Sequence, residues 1–258
     1  MTSQLSNMNK LAESILITGA NRGIGLELIR QIAASHNPKN LFAVCRNPND
    51  ASELKQLADI HSSITILQLS DVRDYASYDS LSDEVEKRVG DNGLNVLINN
   101  AGVSPKGQSL NDVTPQQMAE TFEINAISPL MLVKKFRPLL EKAASASPSS
   151  PLSCSRSAII NISTQMGSIS DNGIGSFYSY RSSKAALNMI TKSLSIDLQP
   201  AGVLVACIHP GWVQTDMGSS RAPMSVQDSA RQILDVLMAM GPDKNGAFVN
   251  YANKIIPW

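Results

Sequence analysis

The chain has 258 residues, enough for one α/β domain with a substantial core, and nothing in its composition demands a second. Its 22 basic and 22 acidic residues balance without a strong run of either sign, which argues against nucleic acid or an anionic membrane as the main partner. Cys45, Cys154 and Cys207 show neither disulfide-framework nor metal-site spacing, no run is apolar for long enough to span a bilayer, and the first residues lack a signal-peptide core, so a soluble cytoplasmic protein without a metal is expected.

Apolar runs alternate with helical patterns along the chain. Strands are expected near 14–18, 40–45, 64–69, 95–98, 157–162, 203–208 and 246–250, and helices near 24–35, 75–89, 115–142, 178–198 and 225–240. Such alternation implies a parallel sheet covered by helices on both faces, here one Rossmann-type, doubly wound sheet of about seven strands. Residues 1–13 read as a polar tail. The Ala/Ser/Pro-rich stretch at 143–156 reads as a flexible surface loop rather than a linker, because the motifs described below fall on both sides of it. Sheets of this kind bind ligands at the carboxyl ends of their strands, where the first glycines, Asn99, Thr164 and Pro210 would gather.

The first strand runs into Thr18-Gly19-Ala20-Asn21-Arg22-Gly23-Ile24-Gly25 and then into a helical pattern with Ile24, Leu28 and Ile29 on one face. Glycine allows positive φ and close approach of the backbone to a ligand, and a helix start offers unpaired N–H groups to a pyrophosphate. The bland alternative is a glycine-rich turn between a strand and a helix. Farther on, Tyr180 and Lys184 stand four residues apart in a helical stretch, so that one helix face carries a phenol above an ammonium.

Together with Asn99-Asn100-Ala101-Gly102, Asn125 and His209-Pro210-Gly211, these motifs stand in the order found in the short-chain dehydrogenase/reductase family, which the chain resembles along nearly its whole length. The stretches Asn161-Ile162-Ser163-Thr164, Met166-Gly167-Ser168-Ile169 and Asp216-Met217-Gly218 resemble its carbonyl-reductase branch of the sniffer and C-factor type. The resemblance implies a dinucleotide held by Thr18, Gly19, Asn21, Arg22, Gly23, Ile24 and Gly25 in the turn. It adds Asp71 and Val72 at the adenine, Asn100, Ala101 and Gly102 beside a ribose, Tyr180 and Lys184, and Pro210, Gly211, Val213 and Thr215 around the nicotinamide.

The residues closing the second strand decide which dinucleotide. An acidic residue there would accept from a ribose 2′-hydroxyl, but Cys45 is followed by Arg46, with no carboxylate until Asp50. Arg22 and Arg46 suit a 2′-phosphate, so the expected cofactor is NADP(H). The other reading of Arg46 is a solvated loop residue.

Carbonyl reduction needs a hydride at carbon and a proton at oxygen. Tyr180 is the expected acid, its pKa lowered by Lys184 together with an oxidised nicotinamide, and the resemblance also places Lys184 on the nicotinamide ribose. A hydroxyl must hold the substrate oxygen. The family's second serine has become Thr164 here, with Ser163 as the other candidate, because alternate strand residues face opposite ways. The resemblance gives Asn125 a proton-relaying water; the plain alternative is a polar residue kinking a buried helix. His209 reads as packing, and 212–224 as a substrate lid with Met217 and Met224 in its lining. The leading expectation is an NADPH-dependent carbonyl reductase acting on a small-molecule substrate and pairing as a homodimer through the helices near 115–142 and 178–198. The rivals are an NAD(P)-dependent alcohol or steroid dehydrogenase running oxidatively, and a catalytically weak dinucleotide-binding signalling protein.

Overall fold

In the computed structural model, which describes residues 11–107 and 109–258, seven strands form one sheet. They are β1 (Ser14–Thr18), β2 (Asn40–Cys45), β3 (Ile64–Gln68), β4 (Val96–Asn99), β5 (Ala158–Ile162), β6 (Leu204–His209) and β7 (Phe248–Asn250). Their order is β3-β2-β1-β4-β5-β6-β7, and every neighbouring pair is parallel. The chain reverses its direction of winding between β1 and β4, which opens a crevice at the carboxyl ends of the strands.

Both faces of the sheet are covered, so its strands carry continuous apolar runs rather than alternation. In β1, Ile15 and Ile17 enter one core with α1 (Gly23–Ser35) and α7 (Val226–Ala239). Leu16 enters the other, with α3 (Ser77–Val89) and α5 (Ser128–Ser145). The long α6 (Tyr178–Asp197) also packs on this second face through Leu194.

The structure departs from the expected elements in four places. A helix, α2 (Ser52–Ile60), lies between β2 and β3; only Leu54 and Leu57 of it are buried, too narrow a stripe to mark it in sequence. The single helix expected at 115–142 is α4 (Pro115–Phe122), a π-helical turn (Glu123–Ile127) and α5. A capping box between Thr114 and Gln117, with Pro115 in the first turn, starts α4. Residues 143–145 of the expected loop complete α5. The rest of that loop is tied down by Arg156, which donates to the carbonyls of Ala144 (3.1 Å) and Ser150 (2.5 Å), and Cys154 is buried beneath it. Residues 1–10 of the expected tail lie outside the described residues, but Leu11 and Ala12 do not belong to a polar tail: both are buried in the first core.

Candidate active site

The glycine turn is built by hydrogen bonds from β4. Thr18 Oγ1 accepts from the main-chain N–H groups of Asn100 and Ala101, each at 3.1 Å. Asn100 Nδ2 donates to the carbonyls of Thr18 (2.9 Å) and Gly19 (3.2 Å). Gly19 has φ +66°, and a Cβ on Gly25 would stand 2.3 Å from the Gly19 carbonyl oxygen. The turn can close only with glycine at both positions.

A cleft of about 540 Å³ opens above this turn. Thr18, Gly19, Asn21, Arg22, Gly23, Ile24, Arg46, Asp71, Val72, Asn100, Ala101, Gly102, Tyr180, Lys184, Pro210 and Thr215 all line it. Three expected contact residues face elsewhere. Gly25 sits beneath the turn, Gly211 (φ +94°) turns against Met224, and Val213 is buried in a bridge to Met224. Leu69, Ser70, Val103 and Gln214 also line the cleft, although no motif singles them out. Leu69 and Ser70 follow the end of β3, so the rule that ligands sit at strand carboxyl ends would have found them.

Two expected contacts are already engaged within the protein. Arg22 Nη1 lies 2.6 Å from Asp216 Oδ2, joining the glycine turn to the 212–224 segment. Arg73 grips the Asp71 carboxylate at 2.6–3.0 Å and, chiefly through these bonds, lowers its pKa.

At the other end of the cleft the buried face of α6 is polar. Lys184, 5% exposed, donates from Nζ to the carbonyl oxygen of Ile162 at 2.8 Å. Asn188 accepts from Ser163 Oγ at 2.6 Å, and its amide donates to Gly167 O at 3.2 Å. Thr191 Oγ1 accepts from Asn161 at 2.7 Å. The Ser163 hydroxyl is therefore turned toward α6, whereas the Thr164 hydroxyl bonds the Tyr180 side chain and also accepts from the Met166 N–H at 3.2 Å.

Asn125 is fully buried in the π-helical turn. It accepts from Val103 N (2.9 Å) and donates to Val103 O (2.8 Å) and Ser183 Oγ (3.0 Å). Its amide thus clamps the chain after β4 to α6, on the type of helical irregularity that recurs at functional sites.

Burial governs the electrostatics. It pushes the Tyr180 phenol up to about 12, against a downward pull from the Thr164 hydrogen bond. It brings the Lys184 ammonium down to about 8. Desolvation sets the direction of the Tyr180 shift, opposite to the expected depression, with no contribution from Lys184, and the phenol keeps its proton at neutral pH. Burial also lowers His209 to about 4, and its ring packs edge-on to Tyr251 with centroids 6.2 Å apart. His209 is neutral and packed.

A family profile described as short chain dehydrogenase matches residues 13–225. The structure is similar to the carbonyl reductase Sniffer of D. melanogaster, with 46% identity and a TM-score of 0.94 over 96% of this chain and 100% of that one. It is also similar to an NADPH-bound carbonyl reductase from chicken fatty liver, with 41% identity and a TM-score of 0.93 over 98% of this chain and 97% of that one. The C-signal protein of Myxococcus xanthus is 41% identical over 165 residues, 64% of this chain and 93% of its own length. The chain belongs to the short-chain dehydrogenase family.

Proposed function

We propose that this protein is a carbonyl reductase that uses NADPH to reduce aldehyde-, ketone- or quinone-type carbonyls, with Tyr180 as the proton donor. The single observation that carries this reading is the hydrogen bond between the Tyr180 and Thr164 side chains beside the buried Lys184, at the end of a cleft floored by the glycine turn. The chain is an NADP(H)-dependent oxidoreductase, and the cleft fits that cofactor. Arg22 and Arg46 both line it, the turn leaves no room for a Cβ at Gly25, and no carboxylate follows β2 before Asp50.

NADPH, when bound, supplies the hydride to the carbonyl carbon. The protein's part is to bind, orient and protonate. Thr164 holds the substrate oxygen beside Tyr180, and the phenol passes its proton to that oxygen as charge develops there. Lys184, fixed by Ile162 O, supplies positive charge toward the tyrosinate left behind. Asn125 fixes the Val103 segment that borders the cleft.

Arg22 and Arg46 line the cleft and suit NADPH, and this cofactor choice favours the reductive direction over the alcohol or steroid dehydrogenase reading. The intact Tyr180, Lys184 and Asn125 weigh against a signalling protein without catalysis. Met189 and Ile196, seven residues apart on α6 and 67% and 61% exposed, support a homodimer through that helix and the helical stretch at 115–142. Among the described residues, no helix is long and apolar enough to cross a membrane; we place the enzyme in the cytoplasm. The test is NADPH consumption by the purified protein against a panel of quinones, diketones, aldehydes and steroids, compared with NADH. Turnover with NADPH on some of the panel is expected; cofactor binding without turnover on any member would return the signalling reading.

A further inference from the structure

Arg22 is the residue just before α1, and Asp216 lies in the segment that follows β6. Both line the cleft, and their side chains meet at 2.6 Å. The segments also approach each other one residue farther along, where a Cβ on Gly23 would stand 3.4 Å from Thr215 Cγ2. A tight turn presents Asp216: Thr215 Oγ1 accepts from Gly218 N at 3.1 Å, and Ser219 N donates to Thr215 O at 2.9 Å. The guanidinium best placed in the glycine turn to meet a cofactor phosphate is thus held by a carboxylate of the opposite wall.

We infer that Asp216 is a specificity-determining residue, an internal competitor that a cofactor's 2′-phosphate must displace from Arg22. The inference rests on the 2′-phosphate reading above. A phosphate carries more charge than a carboxylate and offers three acceptor oxygens to the guanidinium fork, so it wins the exchange. A cofactor without the phosphate leaves the pair in place. Arrival of the 2′-phosphate therefore breaks this ion pair between the 212–224 segment and the glycine turn, at a modest expense in affinity. Exposed ion pairs shift an equilibrium by about 1.5- to 5-fold, and screening by salt shrinks this further.

The test uses 2′,5′-ADP and 5′-AMP, fragments that differ only in the 2′-phosphate, titrated calorimetrically at low salt. Arg22 and Asp216 are 64% and 77% exposed, so substitutions there leave the core intact. Wild-type protein is expected to prefer 2′,5′-ADP, and Asp216→Asn to raise that preference about 1.5- to 5-fold. In an Arg22→Gln background the gain should vanish. A wild type with no preference overturns the 2′-phosphate reading and this inference with it. A clear wild-type preference that Asp216→Asn leaves unchanged or lowers, or a gain that survives Arg22→Gln, overturns the inference alone.

Discussion

Lys184 Nζ donates a 2.8 Å hydrogen bond to the carbonyl oxygen of Ile162, the last residue of β5 and two positions before Thr164. One buried ammonium thus joins α6 to the strand end that precedes Ser163 and Thr164. Burial lowers its pKa from 10.5 to about 8. A lysine lowered on folding binds fewer protons in the folded than in the unfolded chain between those values, so its contribution to stability rises with pH across that window. Tyr180, raised from 10 to about 12, acts in the opposite direction but only above pH 10. Between pH 8 and pH 10, wild-type stability should therefore rise by about 2 kcal/mol relative to Lys184→Met. Urea unfolding of both proteins at the two pH values measures this, and a constant difference would contradict it.

Ser163 and Thr164 are neighbours with opposite duties. The Ser163 hydroxyl is spent on Asn188, while that of Thr164 bonds Tyr180. Thr164→Ala should lower kcat about 10²–10³-fold, as loss of a donor to a developing oxyanion does, with Thr164→Ser restoring most of it. Ser163→Ala should lower stability by about 1–3 kcal/mol, because Asn188 Oδ1 loses its buried donor, with a far smaller effect on kcat. Steady-state kinetics beside denaturant unfolding separates the two. The reverse pattern would exchange their roles.

The sheet was legible because parallel strands buried on both faces carry unbroken apolar runs. Of the residues that the carboxyl-end rule was expected to gather, Gly19 and Pro210 line the cleft, whereas Asn99 is buried against Asn161 and Thr164 lies outside the lining. The π-helical turn around Asn125 was not, since one extra residue in a helix leaves the apolar pattern almost unchanged. The direction of the Tyr180 shift was also hidden. The Tyr180–Lys184 spacing advertises a charge four residues away, while burial comes from elements distant in sequence. Arg22 and Asp216 are 194 residues apart, and no local pattern signals their meeting.

Gly25 lacks a side chain because the turn occupies its place. A Cβ there would stand 2.3 Å from Gly19 O and 2.6 Å from Asn100 Nδ2, the amide that bonds Thr18 O and Gly19 O. Neither atom can retreat without opening the turn. Gly25→Ala should destabilise the protein by about 1–3 kcal/mol and weaken NADPH binding by at least about tenfold. Gly90→Ala is the control. Its Cβ would meet nothing within 4 Å, and only the backbone conformation (φ +54°, ψ −131°) penalises it, so a loss of about 1–3 kcal/mol with cofactor affinity unchanged is expected. Cofactor fluorescence titration and urea unfolding on both variants would show whether the cost is local to the turn.

Asn125 and Lys184 flank Gly102: a Cβ there would lie 3.1 Å from Asn125 Oδ1 and 3.6 Å from Lys184 Nζ. The amide carries no charge, so it does little to offset the burial that lowers Lys184 to about 8. If the ammonium form is the one that supports proton transfer, kcat/KM for NADPH, which reports the free enzyme, should fall as pH rises through about 8. Asn125→Asp keeps an acceptor for Val103 N but places a carboxylate beside the amine, and an opposite charge nearby favours the ammonium. The alkaline limb should then move upward by about one pH unit. The maximum should fall, because Val103 O and Ser183 Oγ lose their donor. Asn125→Ala removes the clamp and introduces no charge, so it should lower the maximum without moving the limb. An Asn125→Asp profile with its limb in the wild-type position would mean that Lys184 is not the group titrating in it.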